Sequence, residues 1–122
     1  MKALLDSNFL MIPGEFRVDI FSELRGLGYN EFYTIDLVLK ELEWLKKKGR
    51  KSKAVSVALE MIKKFGVKII KTNGEHADEE ILNIARKNKY AVCTMDKKLI
   101  HSLMESGVKI IILRQKKYLE EL

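Results

Sequence analysis

Residues 67–113, VKIIKTNGEHADEEILNIARKNKYAVCTMDKKLIHSLMESGVKIIIL, decide the fold. Three short runs rich in apolar and β-branched residues, Val67–Lys71, Tyr90–Met95 and Val108–Leu113, have the length and composition of strands. Between them, Ala77–Asn88 and Lys97–Ser106 carry apolar residues at helical spacing, and Gly107 stops the second helix. Thr72-Asn73-Gly74 is turn chemistry. A strand that needs a helical crossover before the next strand builds βα units, hence a parallel sheet covered on both faces.

Working outward from that stretch, Ser52 is a credible N-cap for a helix over Lys53–Phe65, ended by Gly66. Before it, a helix is expected over Ile35–Lys48, closed by Gly49, and Phe32–Thr34 reads as a short strand. Phe16, Ile20 and Leu24 give Glu15–Arg25 a helical period, preceded by a loop through Pro13-Gly14. Lys2–Asp6 is an apolar run that ends in a carboxylate. No internal repeat or linker divides the chain. The expectation is one three-layer α/β/α domain over residues 1–122 with a central parallel sheet.

Composition narrows the partners. At 122 residues with 47% hydrophobic and 33% charged side chains, the chain can bury a core without staples. No stretch approaches the ~20 apolar residues of a membrane span, and no signal segment opens the chain. The single Cys93 sits in an apolar run and reads as a buried thiol of a reducing, cytoplasmic compartment. A net charge of +6 suits a polyanionic partner, most simply nucleic acid. The densest basic run, Lys46, Lys47, Lys48, Arg50, Lys51 and Lys53, would attract phosphates without choosing sequence. It could equally be a solvated turn that complements a helix dipole. Phe16, Phe21, Phe65 and Trp44 are expected in the core.

Four acids carry the chemical signal. Asp6 ends the first strand and Asp96 follows Tyr90–Met95, and parallel sheets bind ligands outside the carboxyl ends of their strands. At about 100° per residue, Glu41 falls on the apolar side of its helix with Leu37, Val38 and Leu45. Asp78 falls likewise with Ile81, Leu82 and Ala85. Carboxylates on core-facing stripes are costly unless protonated, paired or metal-bound. An oxygen-only donor set selects hard Mg²⁺ or Mn²⁺, whereas His76, His101 and Cys93 have no zinc spacing. Simpler roles stand beside this for each acid, because Asp78 and Asp96 open helices, Asp6 could cap a turn and Glu41 could pair with a lysine.

These segments resemble the PIN-domain ribonuclease family. LLDSNFLM at 4–11 is similar to its opening strand and Asp-Thr/Ser-Asn, and VLKELEWL at 38–45 to its Glu-bearing helix. HADEEILNIA at 76–85 and YAVCTMDKKL at 90–99 are similar to its third and fourth motifs, in the same order. The resemblance implies a PIN fold, endoribonuclease activity with one or two Mg²⁺ or Mn²⁺ ions, and frequent homodimers. It makes Asp6, Glu41, Asp78 and Asp96 the metal-binding acids, with Thr94 and Asn8 hydrogen-bonding around them. Lys97-Lys98 follow Asp96 where some members carry a further acid, which leaves a second ion open. Two roles fit, a toxin restrained by an antitoxin protein or an RNA-processing nuclease. A catalytically silent RNA-binding module is the alternative. A flavodoxin-like receiver would need acids that Leu5-Asp6 and Lys71-Thr72 do not supply.

Overall fold

The computed structural model describes residues 1–122. Strand β1 (Lys2–Leu5) leads through three short helices, α1 (Ser7–Leu10), α2 (Ile12–Phe16) and α3 (Ile20–Gly26), into β2 (Glu31–Ile35). Helices α4 (Asp36–Lys47) and α5 (Ser52–Lys64) cross over to β3 (Lys68–Ile70), and α6 (Ala77–Lys87) returns to β4 (Tyr90–Cys93). Helix α7 (Lys97–Glu105) then precedes β5 (Ile110–Arg114) and β6 (Tyr118–Glu121). The sheet order is β3-β2-β1-β4-β5-β6, parallel from β3 through β5, with β6 antiparallel at the edge.

The chain steps one way from β1 to β3, then reverses to β4 and β5. With right-handed crossovers that reversal puts α6 and α7 on the face opposite the earlier helices. Packing agrees: α4 contacts α1 and α5, α2 contacts α5, and α6 contacts α7. Strands covered on both faces must be apolar throughout, and Ala3, Leu4 and Leu5 are fully buried, as are Val92 and Cys93. No helix is long and apolar enough to cross a membrane.

Several local expectations need correction. Glu15–Arg25 is two helices: Arg17 turns left-handed at φ 57° to close α2, and the Asp19 side chain accepts from Ser22 N to cap α3. Pro13-Gly14 is the start of α2, not a loop, because Pro is tolerated in a first helical turn. Gly14 allows α2 to meet α5 closely; a Cβ there would stand 2.6 Å from Ala54 Cα. Ser52 is the first residue of α5 rather than its cap, and its hydroxyl donates back to Gly49 O.

The antiparallel β6 was not expected. Its hairpin turns through Gln115 and Lys116, both at positive φ, with Lys117 N donating to Arg114 O. That is type I′ geometry made without Gly or Asn. An Arg114–Glu120 ion pair crosses the hairpin, Leu119 N donates to Glu23, and Tyr29 donates to Glu121. The strand is therefore tied to α3 and the segment after it.

Candidate active site

The strand order reverses at β1, whose neighbours β2 and β4 lie on either side, and such a switch point opens a crevice at the carboxyl ends. Asp6 follows β1 there and is 4% exposed. Its Oδ1 accepts from Ser7 N at 2.8 Å and its Oδ2 from the Thr94 hydroxyl at 2.8 Å. Thr94 follows β4, and its Oγ1 also accepts from Asp96 N at 3.1 Å. One threonine thus joins the acids at the ends of two adjacent strands. Asp96 caps α7 through one oxygen, Oδ1, which accepts from Lys98 N and Leu99 N. Capping engages only that oxygen, and the Asp96 side chain also lies within hydrogen-bonding reach of the Asp78 carboxyl.

Glu41 and Asp78 approach from two helices. Ser7 Oγ donates to Glu41 Oε2 at 3.2 Å, and α1 packs on α4, so the turn that caps with Asp6 also aims Glu41. Asp78 lies in the first turn of α6. The loop before it is anchored by Asp36, which accepts from Thr72 N, the Thr72 hydroxyl and Leu37 N. Those bonds, the Thr72 hydroxyl foremost, hold the Asp36 carboxyl below the ordinary carboxylate value. At the loop's other end Glu80 accepts from Gly74 N.

The electrostatics record the crowding. Asp6 is pushed from 3.8 to about 6, chiefly by burial, against the lowering effect of its two hydrogen bonds, and the charges of Asp78 and Glu41 push it further. Asp78 is also raised, first by partial desolvation and then by Asp96 beside it. No cation neutralises the group: the two ion pairs in the molecule, His101–Glu105 and Arg114–Glu120, involve none of the four acids. The donors fit a hard cation, since all are carboxylate oxygens. As the side chains stand, however, no three ligands are close enough to enclose an ion. The arrangement is open, and suits a hydrated ion that keeps several waters.

A cleft of ≈510 Å³ runs along the site between Leu37, Lys40, Glu41 and Trp44 of α4 and His76 and Asp78 at the start of α6. A larger cavity of ≈680 Å³ lies at the opposite, amino end of the sheet, where Lys2, Arg86, Lys89 and Lys109 contribute to its walls. None of the four acids lines it.

With the geometry of the four acids described, comparisons with known proteins bear on the family and the fold. The PIN-like domain model matches residues 3–116. The chain belongs to the PIN-like domain family. Ribonuclease VapC4 of Methanocaldococcus jannaschii is 35% identical to it, over 98% of this chain and 95% of that protein. Ribonuclease VapC9 of Archaeoglobus fulgidus is 27% identical, over 94% and 84%. Among solved structures, the PIN domain endonuclease Utp24 superposes with a TM-score of 0.80 at 24% identity, over 99% of this chain and 92% of that one. A domain of a functionally unknown protein from M. jannaschii superposes at 0.61 and 17%, over 93% and 91%. Both structural likenesses are of fold.

Within this PIN-like frame, two expectations change. Glu41 and Asp78 do not lie on buried stripes; both are exposed at the cleft. Val38 and Leu42 mark the centre of α4's buried face, and Glu41 stands about 60° from Val38, on the flank. Asn8 does not touch the acids; its Oδ1 accepts from Met95 N and helps fix the turn after β4. Lys46, Lys47, Lys48, Arg50, Lys51 and Lys53 are all exposed and none forms an ion pair. Trp44 and Phe16 are exposed, while Phe21 is in the core and Phe65 stacks on it. Sequence reading passed over Ser7 and Asp36. Ser7 sits beside Asp6 in the first motif, which was the available signal; Asp36 gave none, because its partner Thr72 lies 36 residues away.

Proposed function

We propose that this PIN-like chain is a metal-dependent endoribonuclease, a hydrolase of RNA phosphodiester bonds, with Asp6, Glu41, Asp78 and Asp96 as its catalytic, metal-holding acids. The observation that carries the reading is the uncompensated Asp6: a buried carboxylate, flanked by like charges, with no cationic partner. Natural proteins bury such a charge where an ion neutralises it. Two relatives named as ribonucleases, each matched over most of this chain, support RNA as substrate.

Mg²⁺ or Mn²⁺, one ion or two, supplies a polarised phosphate and a water of lowered pKa when bound. The chain's own residues prepare the place for it. Thr94 and Ser7 N lock the Asp6 carboxylate in one orientation, Ser7 Oγ steers Glu41, and Asp96 caps α7 through Oδ1 while its side chain stays beside Asp78. Residues 1–122 serve as one catalytic unit. The reading brings with it a homodimer and, for a toxin-type role, an antitoxin partner; buried free Cys93 suits the cytoplasm.

Purified protein incubated with single-stranded RNA is expected to cleave with Mn²⁺ or Mg²⁺ and to stop in EDTA. Cleavage indifferent to EDTA sinks the metal reading. RNA binding without cleavage under any ion condition leaves a silent binding module. A second expectation concerns the basic run. Neutralising Lys46, Lys48 and Arg50 should weaken RNA binding uniformly across sequences and reduce the salt slope by about 0.7 per lost single-strand phosphate contact. An unchanged slope removes these residues from the RNA path.

A further inference from the structure

The geometry points to Trp44 as the platform on which a base of single-stranded RNA stacks, one helical turn from Glu41 in the same cleft; the inference rests on the nuclease reading above. A half-exposed tryptophan, 49% here, needs no explanation by itself. Its company does. Leu37, Lys40, Glu41 and Trp44 follow the i, i+3, i+4, i+7 pattern, which is one flank of α4, and that flank lines the cleft that Asp78 closes from α6. An aromatic face and two of the proposed catalytic acids therefore share one wall-to-wall space.

The surroundings select a nucleic acid over an apolar peptide. The Arg50 guanidinium lies over the Trp44 ring at 5.6 Å from its centroid. A guanidinium held there sits ready for a phosphate next to a stacked base. Lys40 borders the cleft, and Lys46, Lys47 and Lys48 follow on the same helix end, all exposed. Alternating aromatic faces and unpaired cations are how sequence-tolerant single-strand binders hold bases and backbone together. Trp44 would then position the strand so that a neighbouring phosphodiester meets the acids. A stacked base must be unpaired, so the site would favour single strands over duplex.

Trp44 is the only tryptophan in the chain, so indole emission reports this position alone. With EDTA present to prevent cleavage, a single-stranded oligoribonucleotide is expected to quench that emission at saturation. Inorganic polyphosphate, which has charge but no bases, should quench it little. Trp44→Ala should raise the Kd for the oligonucleotide about 10-fold, and Trp44→Phe should recover much of the loss. Circular dichroism of both variants, compared with wild type, establishes that they fold. Unquenched emission at saturating RNA, equal quenching by polyphosphate, or a folded Trp44→Ala with wild-type Kd overturns the inference. The last result would fit a face that docks a protein instead. If Trp44→Ala cleaves and binds normally while EDTA still stops cleavage, the stacking role falls and the nuclease reading stands. Base-dependent quenching in a protein that never cleaves does the reverse.

Discussion

Asp6→Asn is expected to abolish metal-dependent cleavage while leaving the metal-free protein at least as stable as wild type at neutral pH. Loss of a direct ligand should exceed the 10–100-fold typical of an outer-shell partner. The stability half follows from the titration. Folding lifts the Asp6 carboxyl from 3.8 to about 6, so the folded state holds its proton more tightly than the unfolded chain. That contribution is fully present below about pH 4 and is lost as pH rises through about 6, at most about 3 kcal/mol for two pKa units. Asparagine has no such proton to lose. It keeps an oxygen for Ser7 N, and its amide can donate to the Thr94 hydroxyl in place of accepting from it. Metal-free melting curves from pH 4 to 7 should therefore show wild type falling relative to the variant. Mn²⁺ at pH 7 should raise wild type by mass action and leave the variant unmoved. A large loss of stability in metal-free Asp6→Asn at pH 7 would instead make Asp6 a structural cap.

Those two properties of Asp6 were unequally visible beforehand. Its position was legible, because an apolar run ending in Asp at a parallel strand's carboxyl end can point only to that edge of the sheet. Its burial was not, since that depends on Thr94 and Ser7 closing over it from two elements. The same contrast runs through the fold. Helices α4 to α7 declare themselves by period, and all but α6 by a glycine stop, to within a residue or two. The break at Arg17 and the hairpin at Gln115-Lys116 do not, because each puts a left-handed backbone on residues that seldom adopt it. What holds the hairpin is tertiary: β6 pairs with β5 and is anchored by Glu23 and Tyr29.

The pattern that singles out the four acids rests on a premise that the structure changes for two of them. On sequence alone, Glu41 and Asp78 stand as buried anomalies on apolar stripes. A stripe drawn from Leu37 to Leu45 is wider than the fully buried strip of α4, which is Val38 and Leu42, with Leu37 and Leu45 only partly buried at its margins. The flank beyond it is a cleft wall, and a wall tolerates an acid and an indole equally well. That is why Glu41 looked anomalous and Trp44 looked ordinary, when both belong to one surface.

Glu41 carries the second large prediction because its exposure removes the simplest structural excuse. A solvent-exposed helical glutamate that does nothing can be changed at a cost within about 0.5 kcal/mol and without consequence for cleavage. Glu41→Gln preserves shape, keeps an oxygen to accept from Ser7 Oγ and removes only the charge. If the carboxylate helps hold the ion, cleavage should drop by orders of magnitude while melting temperature scarcely moves. Glu41→Leu separates the two functions of the side chain further. It removes the charge and also the acceptor, leaving the buried Ser7 hydroxyl unsatisfied at a cost of about 1–3 kcal/mol. Relief of repulsion with Asp6 offsets part of that. Leucine should therefore be inactive and modestly less stable, glutamine inactive and unchanged. Cleavage at the wild-type rate by Glu41→Gln, purified free of contaminating nuclease, would remove Glu41 from the metal-holding set. Asp6 and Asp96 would then be left joined through Thr94, with Asp78 beside Asp96, a three-acid arrangement in which α4 contributes only the cleft wall.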